Sequence, residues 1–211
     1  MAPAPDTSDM KTNTIIEMTS PEPAAPDNRA ADGAASRLQV FVDVVEPGWV
    51  DAACGAALIA ETCARAAFTA AGAAAATGGF CALVPVPGAD RLCDVSIVLA
   101  DDDRVAALNR EYRGKDGPTN VLSFPATGGP LPDDLSMPVL LGDVVIAFGV
   151  CQAEAEAAGV TITNHLSHLV VHGMLHLLGW DHETDAEAGR METLETDILK
   201  DLNIPDPYQR P

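Results

Sequence analysis

The sequence predicts an α+β domain, a small mixed β-sheet of about four strands packed with about five helices. Three observations lead there. Segments of strand type alternate with segments of helix type from Leu38 onward, helices follow one another in the last third, and no internal repeat is present.

Residues 1–36 carry Pro3, Pro5, Pro21, Pro23 and Pro26 among small polar residues, with Ile15 and Ile16 as the large aliphatics, and read as a disordered extension. The folded domain is expected over 37–205, with 206–211 as a flexible tail. LQVFVDVV, from Leu38, is a β-branched strand ended by the Pro47-Gly48 turn. Residues 50–76 read as one helix, with Cys54, Leu58, Thr62 and Ala66 at i, i+4 spacing and Gly78-Gly79 as the stop. CDVSIVLA is a second strand, after which Asp101 to Asp103 cap a helix carrying Leu108, Asn109 and Tyr112. GKDGPT breaks that helix, and 120–124 form a short strand. A proline-rich loop over 125–138 leads to VLLGDVVIA, a strand containing Gly142. Three helices complete the chain, over 148–158, 163–178 and 184–202. Thr184 and Glu187 form a capping box, and Ala188, Met191, Leu194 and Ile198 give the last helix its apolar stripe.

Composition excludes several classes. The start of the chain lacks the basic n-region and apolar h-region of a secretory signal, so an intracellular, cytoplasmic protein is expected. The alanine-rich run over 52–79 is interrupted by Glu61 and Arg65, and no membrane association is expected. The five cysteines are odd in number and contain no C-x-x-C pair, which argues against a disulfide framework or a cysteine metal site. A net charge of −19 disfavours broad binding of nucleic acid, so an RNA substrate needs a local basic patch and DNA is not expected as a ligand. Arg104, Arg110, Arg113 and Lys115 are the candidate patch; the alternative for such a run is a solvated helix face.

The chemistry is concentrated in the histidines. All five lie between His165 and His182, and His172, His176 and His182 spell H-x-x-x-H-x-x-x-x-x-H in HGMLHLLGWDH. Positions i and i+4 share one helical face, with Cβ atoms about 5–6 Å apart, so two imidazoles can hold one ion. Gly179 can end the helix in the left-handed conformation and return His182 to the same point. Three neutral histidines leave the fourth position of a tetrahedral zinc open, the arrangement of a catalytic site. One Zn2+ per chain is expected, on a metzincin-like zinc-site helix. The protease motif of this spacing carries a glutamate beside the first histidine; here that position is Gly173, and peptide hydrolysis loses its base. Gly173 inside a helix points to packing or to space near the metal. His165 and His168 read as hydrogen-bonded core residues. Asp181 and Glu183 flank the third ligand and either orient an imidazole or keep the loop solvated.

VHGMLHLLGWDHETDAEAGRME, LNREYRGKDGPTNVLSFP and LLGDVVI together resemble the YbeY family of bacterial rRNA-maturation endoribonucleases. The resemblance implies a metal-dependent endoribonuclease domain that cleaves single-stranded RNA, matures rRNA ends including the 3′ end of 16S rRNA, and serves ribosome quality control. It places the zinc ligands at His172, His176 and His182 and the functional arginine at Arg113. The leader and the alanine-rich region between Pro47 and Leu92 depart from the family pattern.

Arg113, beside a Gly-Lys-Asp-Gly-Pro loop, is the candidate catalytic residue, its planar fork holding the scissile phosphate. On its own, the alternative is a surface ion pair. Arg113, Lys115, Asn120 and Ser123 are the candidate substrate-binding residues, although polar strand residues such as Asn120 and Ser123 also commonly face water. The expected partners are single-stranded rRNA precursor and the ribosomal small subunit or its assembly factors. Two other classes fit the motif less fully: a metallohydrolase of another substrate, and a ribosome assembly factor whose zinc is structural. The identity of the nucleophile, water or the 2′-hydroxyl of RNA, stays open at this level.

Overall fold

The computed structural model describes residues 37–76, 91–126, 134 and 137–209. The extension expected over 1–36, the end of the alanine-rich region and most of the proline-rich loop lie outside the described residues. Within them the chain runs β1 (Leu38–Val44), α1 (Gly48–Ala52), α2 (Ala56–Ala76), β2 (Cys93–Ala100), α3 (Asp102–Arg113), β3 (Val121–Pro125), β4 (Val139–Ala147), α4 (Phe148–Ala158), α5 (Ile162–Leu177) and α6 (Asp185–Asp201). The strands form one mixed sheet in the order β1-β2-β4-β3. β1 pairs with β2 and β2 with β4 in parallel, and β3 closes the other edge antiparallel to β4. This is the α+β class that the strand and helix pattern predicts.

One helix of the sequence reading is two. Ala53 leaves helical geometry at φ −128° and Gly55 sits at φ 77°, so the segment breaks into the single turn α1 and the long α2. The break lets Trp49 tuck inward. Its ring is fully buried, its Nε1–H donates to the Ala100 carbonyl at 3.3 Å, and it meets Phe148 edge-on at 5.2 Å. The i, i+4 line through Cys54, Leu58 and Thr62 faces solvent, and Leu58 is 68% exposed. The buried line is instead Ala56, Ala60, Cys63, Ala64, Ala67 and Ala71. Small side chains win the inward face because α2 packs directly on α5, and alanine lets two helix backbones approach closely.

The main core lies between the inner sheet face and the layer α2, α5 and α6, with Ile97, Leu99, Leu141, Val144 and Ile146 from the sheet against Leu166, Val170, Val171, Met174 and Leu175 from α5. Burying each such side chain contributes about 1.5–3 kcal/mol. α3 covers part of the outer face through a smaller cluster of Val105, Leu122, Val145 and Ala147. A register shift between Asp94 and Val95 bulges β4 at Leu141, and Gly142 there has φ 130°. A Cβ on Gly142 would collide with the Phe124 carbonyl oxygen, which explains a glycine inside this strand.

Candidate metal centre

α5 is apolar almost all round, so its four histidines, at 165, 168, 172 and 176, stand out as one polar stripe at spacings of three and four residues. One hydrogen bond and one close approach of backbone seat this helix against the sheet at the height of the site. Ser123 Oγ on β3 donates to the Gly173 carbonyl at 3.1 Å. A Cβ on Gly173 would lie 2.7 Å from Val144 Cγ1 and 3.1 Å from Ser123 Oγ. Gly173 is therefore a packing requirement of α5 on the sheet, and the glutamate of the protease motif would have no room in this seat.

The helix ends as its glycine predicts. Gly179 has φ 85°, its N–H donates to the His176 carbonyl at 3.0 Å, and Trp180 N–H donates to the Leu175 carbonyl at 3.0 Å. This pair of bonds is the Schellman closure, which satisfies the last carbonyls while reversing the chain. His182 returns to its neighbours as a result. Its ring centroid is 5.0 Å from that of His176 and 5.6 Å from that of His172, and ring nitrogens of all three lie within 4.8 Å of one another. His172 Nε2 and His176 Nε2 are 3.1 Å apart. Two nitrogens on one tetrahedral zinc, each about 2.0–2.1 Å from it, are separated by about 3.3 Å, so this donor pair fits the ion.

The charge state fits too. Burial first, then the neighbouring His172 and His182, pull the His176 imidazole down to about 4, which keeps it neutral and able to ligate at neutral pH. Asp181 lies 3.9 Å from His176 Nδ1, too far for a hydrogen bond, and its carboxylate instead accepts the His182 backbone N–H at 2.8 Å. Glu183 is exposed.

Glu195 on α6 completes the site and was not among the residues singled out from the sequence. It has no exposed surface, and its Oε1 accepts from His172 Nδ1 at 2.7 Å. A carboxylate only accepts, so Nδ1 carries the proton and His172 presents the Nε2 lone pair toward His176. The other oxygen accepts from the Tyr208 hydroxyl, and His168 Nε2 stands 3.4 Å from it without hydrogen-bond geometry. Burial pushes the Glu195 carboxyl up, but contacts with His168, His172 and Tyr208 outweigh it and hold the pKa at about 2. One sequence signal for Glu195 existed. It lies four residues after Met191 and three before Ile198, on the buried line of α6, where a charged side chain needs a partner.

A cavity of about 330 Å3 opens beside these rings, bordered by Asn120, His168, His172, His182, Glu195 and Tyr208. The other candidates are placed differently. Asn120 borders the cavity, but its amide donates to Glu154 at 3.0 Å and its oxygen accepts from Val121 N–H. His165 Nε2 lies 2.8 Å from the same Glu154 carboxylate, as a hydrogen-bonded residue of the reading above should. Ser123 has its hydroxyl hydrogen committed to α5. Arg113 and Lys115 are exposed and do not line the cavity; they flank the C-terminus of α3, where Gly114 at φ 64° closes the helix. Tyr112 packs edge-on against Phe124 at 5.1 Å and Asn109 donates to the Gly117 carbonyl at 2.9 Å, which ties this basic turn to β3. Arg110 is paired with Asp116 at 3.1 Å, whereas Arg113 makes no ion pair among the described residues.

Comparison with known proteins places the chain in a family. Residues 81–203 match the family model described as endoribonuclease YbeY. The chain is 47% identical over 172 residues to the endoribonuclease YbeY of Paramagnetospirillum magneticum, covering 81% of this chain and 96% of that protein. It is 52% identical over 128 residues to the Dinoroseobacter shibae protein of the same name, covering 56% and 71%. A solution structure of a Thermotoga maritima protein superposes at a TM-score of 0.47 and 19% identity, covering 82% of this chain and all of that one.

Proposed function

From the premise that this chain belongs to the endoribonuclease YbeY family and is a hydrolytic endoribonuclease, we propose that its activity is zinc-dependent and specific for single-stranded RNA. Its substrate in this reading is rRNA precursor, with maturation of the 16S 3′ end and ribosome quality control as its tasks in the cytoplasm. The observation that carries the metal part is the convergence of His172, His176 and His182, with ring nitrogens within 4.8 Å of one another, beside an open cavity.

His172, His176 and His182 would hold the ion, which when bound supplies a Lewis acid and lowers the pKa of a coordinated water toward about 7. The rest is work for the chain. Glu195 fixes the proton on His172 Nδ1 and so keeps Nε2 free to ligate. Arg113, exposed and without an ion pair among the described residues, offers a bidentate fork for the scissile phosphate and its developing charge, and Lys115 adds a second cation at the same turn. Asn120 borders the cavity where ribose or base would lie; Ser123 does not line that cavity, and with its hydroxyl hydrogen given to the Gly173 carbonyl it would meet a substrate only as an acceptor. Gly173 supports nuclease over peptidase chemistry, since no carboxylate stands beside His172 on α5.

The net charge of −19 repels phosphate over most of the surface, so a ribosomal small-subunit protein or an assembly GTPase that presents the RNA is part of the reading. The test pairs metal analysis with cleavage of single- and double-stranded RNA for wild type and His176→Ala. Wild type should carry about one zinc per chain and cut single strands, and the variant should do neither. Zinc without cleavage under any condition would pass the site to a structural role.

A further inference from the structure

We infer that Glu195 and Tyr208 are positioning residues for His172, so that the segment following α6 is part of the metal centre; the inference rests on the metal reading of the three histidines. Glu195 is fully buried on the apolar line of α6, between Met191 and Ile198. A lone carboxylate is strongly disfavoured in the interior, and each oxygen of Glu195 is given a hydrogen-bond donor. Oε1 takes the His172 Nδ1 proton at 2.7 Å, and the other oxygen takes the Tyr208 hydroxyl. The link reaches the one nitrogen of His172 that points away from the proposed ligand point. It therefore sets both the tautomer and the ring plane of that histidine.

Tyr208 falls in the segment that the sequence reads as a flexible tail, yet the backbone before it is anchored. Ile204 N–H donates to the Leu199 carbonyl at 2.8 Å, and Leu202 and Ile204 pack on the main core. Asn203, at φ 59°, turns the chain back along α6. Tyr208 N–H then donates to Asp206 Oδ1 at 2.8 Å, which shapes the turn that delivers the phenol. The ring stands edge-on to His168, centroids 5.7 Å apart, and stays 42% exposed at the rim of the cavity. The ring is held by this edge contact and by the bond from its hydroxyl to the buried carboxylate.

The test uses the full chain and the variants Tyr208→Phe and Glu195→Gln. Two readouts are taken: zinc affinity by competition with a chromogenic chelator, and 15N imidazole NMR of the metal-free protein. Wild type should show His172 protonated on Nδ1. Glu195→Gln should weaken zinc binding by about 10–100-fold and Tyr208→Phe by about tenfold or less, each with a changed His172 signal. Tyr208→Phe keeps the ring, so it decides the matter if Glu195→Gln fails to fold. Wild-type affinity and an unchanged His172 signal in Tyr208→Phe would overturn the role of Tyr208. A wild type that binds no zinc would instead overturn the metal reading, and this inference with it.

Discussion

Single atoms decide the chemistry at this site, and two residues show it from opposite sides. Arg113 is exposed and makes no ion pair among the described residues, so replacing it should leave the fold and metal untouched. Arg113→Ala is expected to retain zinc and the wild-type unfolding midpoint while RNA cleavage falls by about 100-fold, the scale of one lost transition-state donor. Cleavage at the wild-type rate would remove the role proposed for it. Gly173 is the reverse case, a residue of packing and not of chemistry. Gly173→Ala gains helix propensity, about 1 kcal/mol, but drives a Cβ to 2.7 Å from Val144, a stiff β-branched side chain on a central strand. The clash should win, giving a net loss of about 1–2 kcal/mol in urea unfolding. A more stable variant would show that α5 can lift from the sheet without cost.

The element that makes three histidines into one site is the end of α5. Positions 172 and 176 are brought together by helical geometry alone, but His182 depends on the reversal at Gly179, φ 85°. An alanine there costs about 1–2 kcal/mol in the left-handed region. Gly179→Ala should therefore bind zinc more weakly than wild type in chelator competition, with α5 itself intact by circular dichroism. Unchanged affinity would mean that the loop carrying His182 finds its place without the Schellman closure. α2 teaches a different lesson about elements. Its alanines face inward and Leu58 outward, because close approach to α5 is favoured over the burial of one large side chain.

Over the whole molecule, burial of titratable groups links the site to stability. His176 is held at about 4 against an ordinary 6.5, so the unfolded chain binds its proton first as pH falls. Stability from this group is complete above about 6.5 and is lost as pH drops to about 4. Glu195, held at about 2 against an ordinary 4.5, adds a second loss below about 4.5. The metal-free protein should accordingly show a falling urea midpoint from pH 7.5 to pH 5 and a steeper fall toward pH 3. A flat profile above pH 4 would contradict the burial of His176. The same scale holds the charge, −19 in all, against which the basic turn around Arg113 and Lys115 is a local exception.

Local order was legible in the residues themselves. The strand segments, the Asp101 and Thr184 caps, the Gly179 reversal and the histidine spacing depend on neighbours within a few positions, and the structure carries each of them, whereas the apolar line read along 50–76 was the wrong one. The tertiary structure alone decided what depends on approach across the chain. It set which face of α2 is buried, why Gly173 must lack a side chain, and that Ser123 serves α5. It also brought Glu195 to the proton of His172, 23 residues away in sequence, and the Tyr208 hydroxyl to the other oxygen of Glu195, 13 residues away. Periodicity reports the side on which a residue lies, whereas a hydrogen bond between distant segments exists only once packing has fixed both ends.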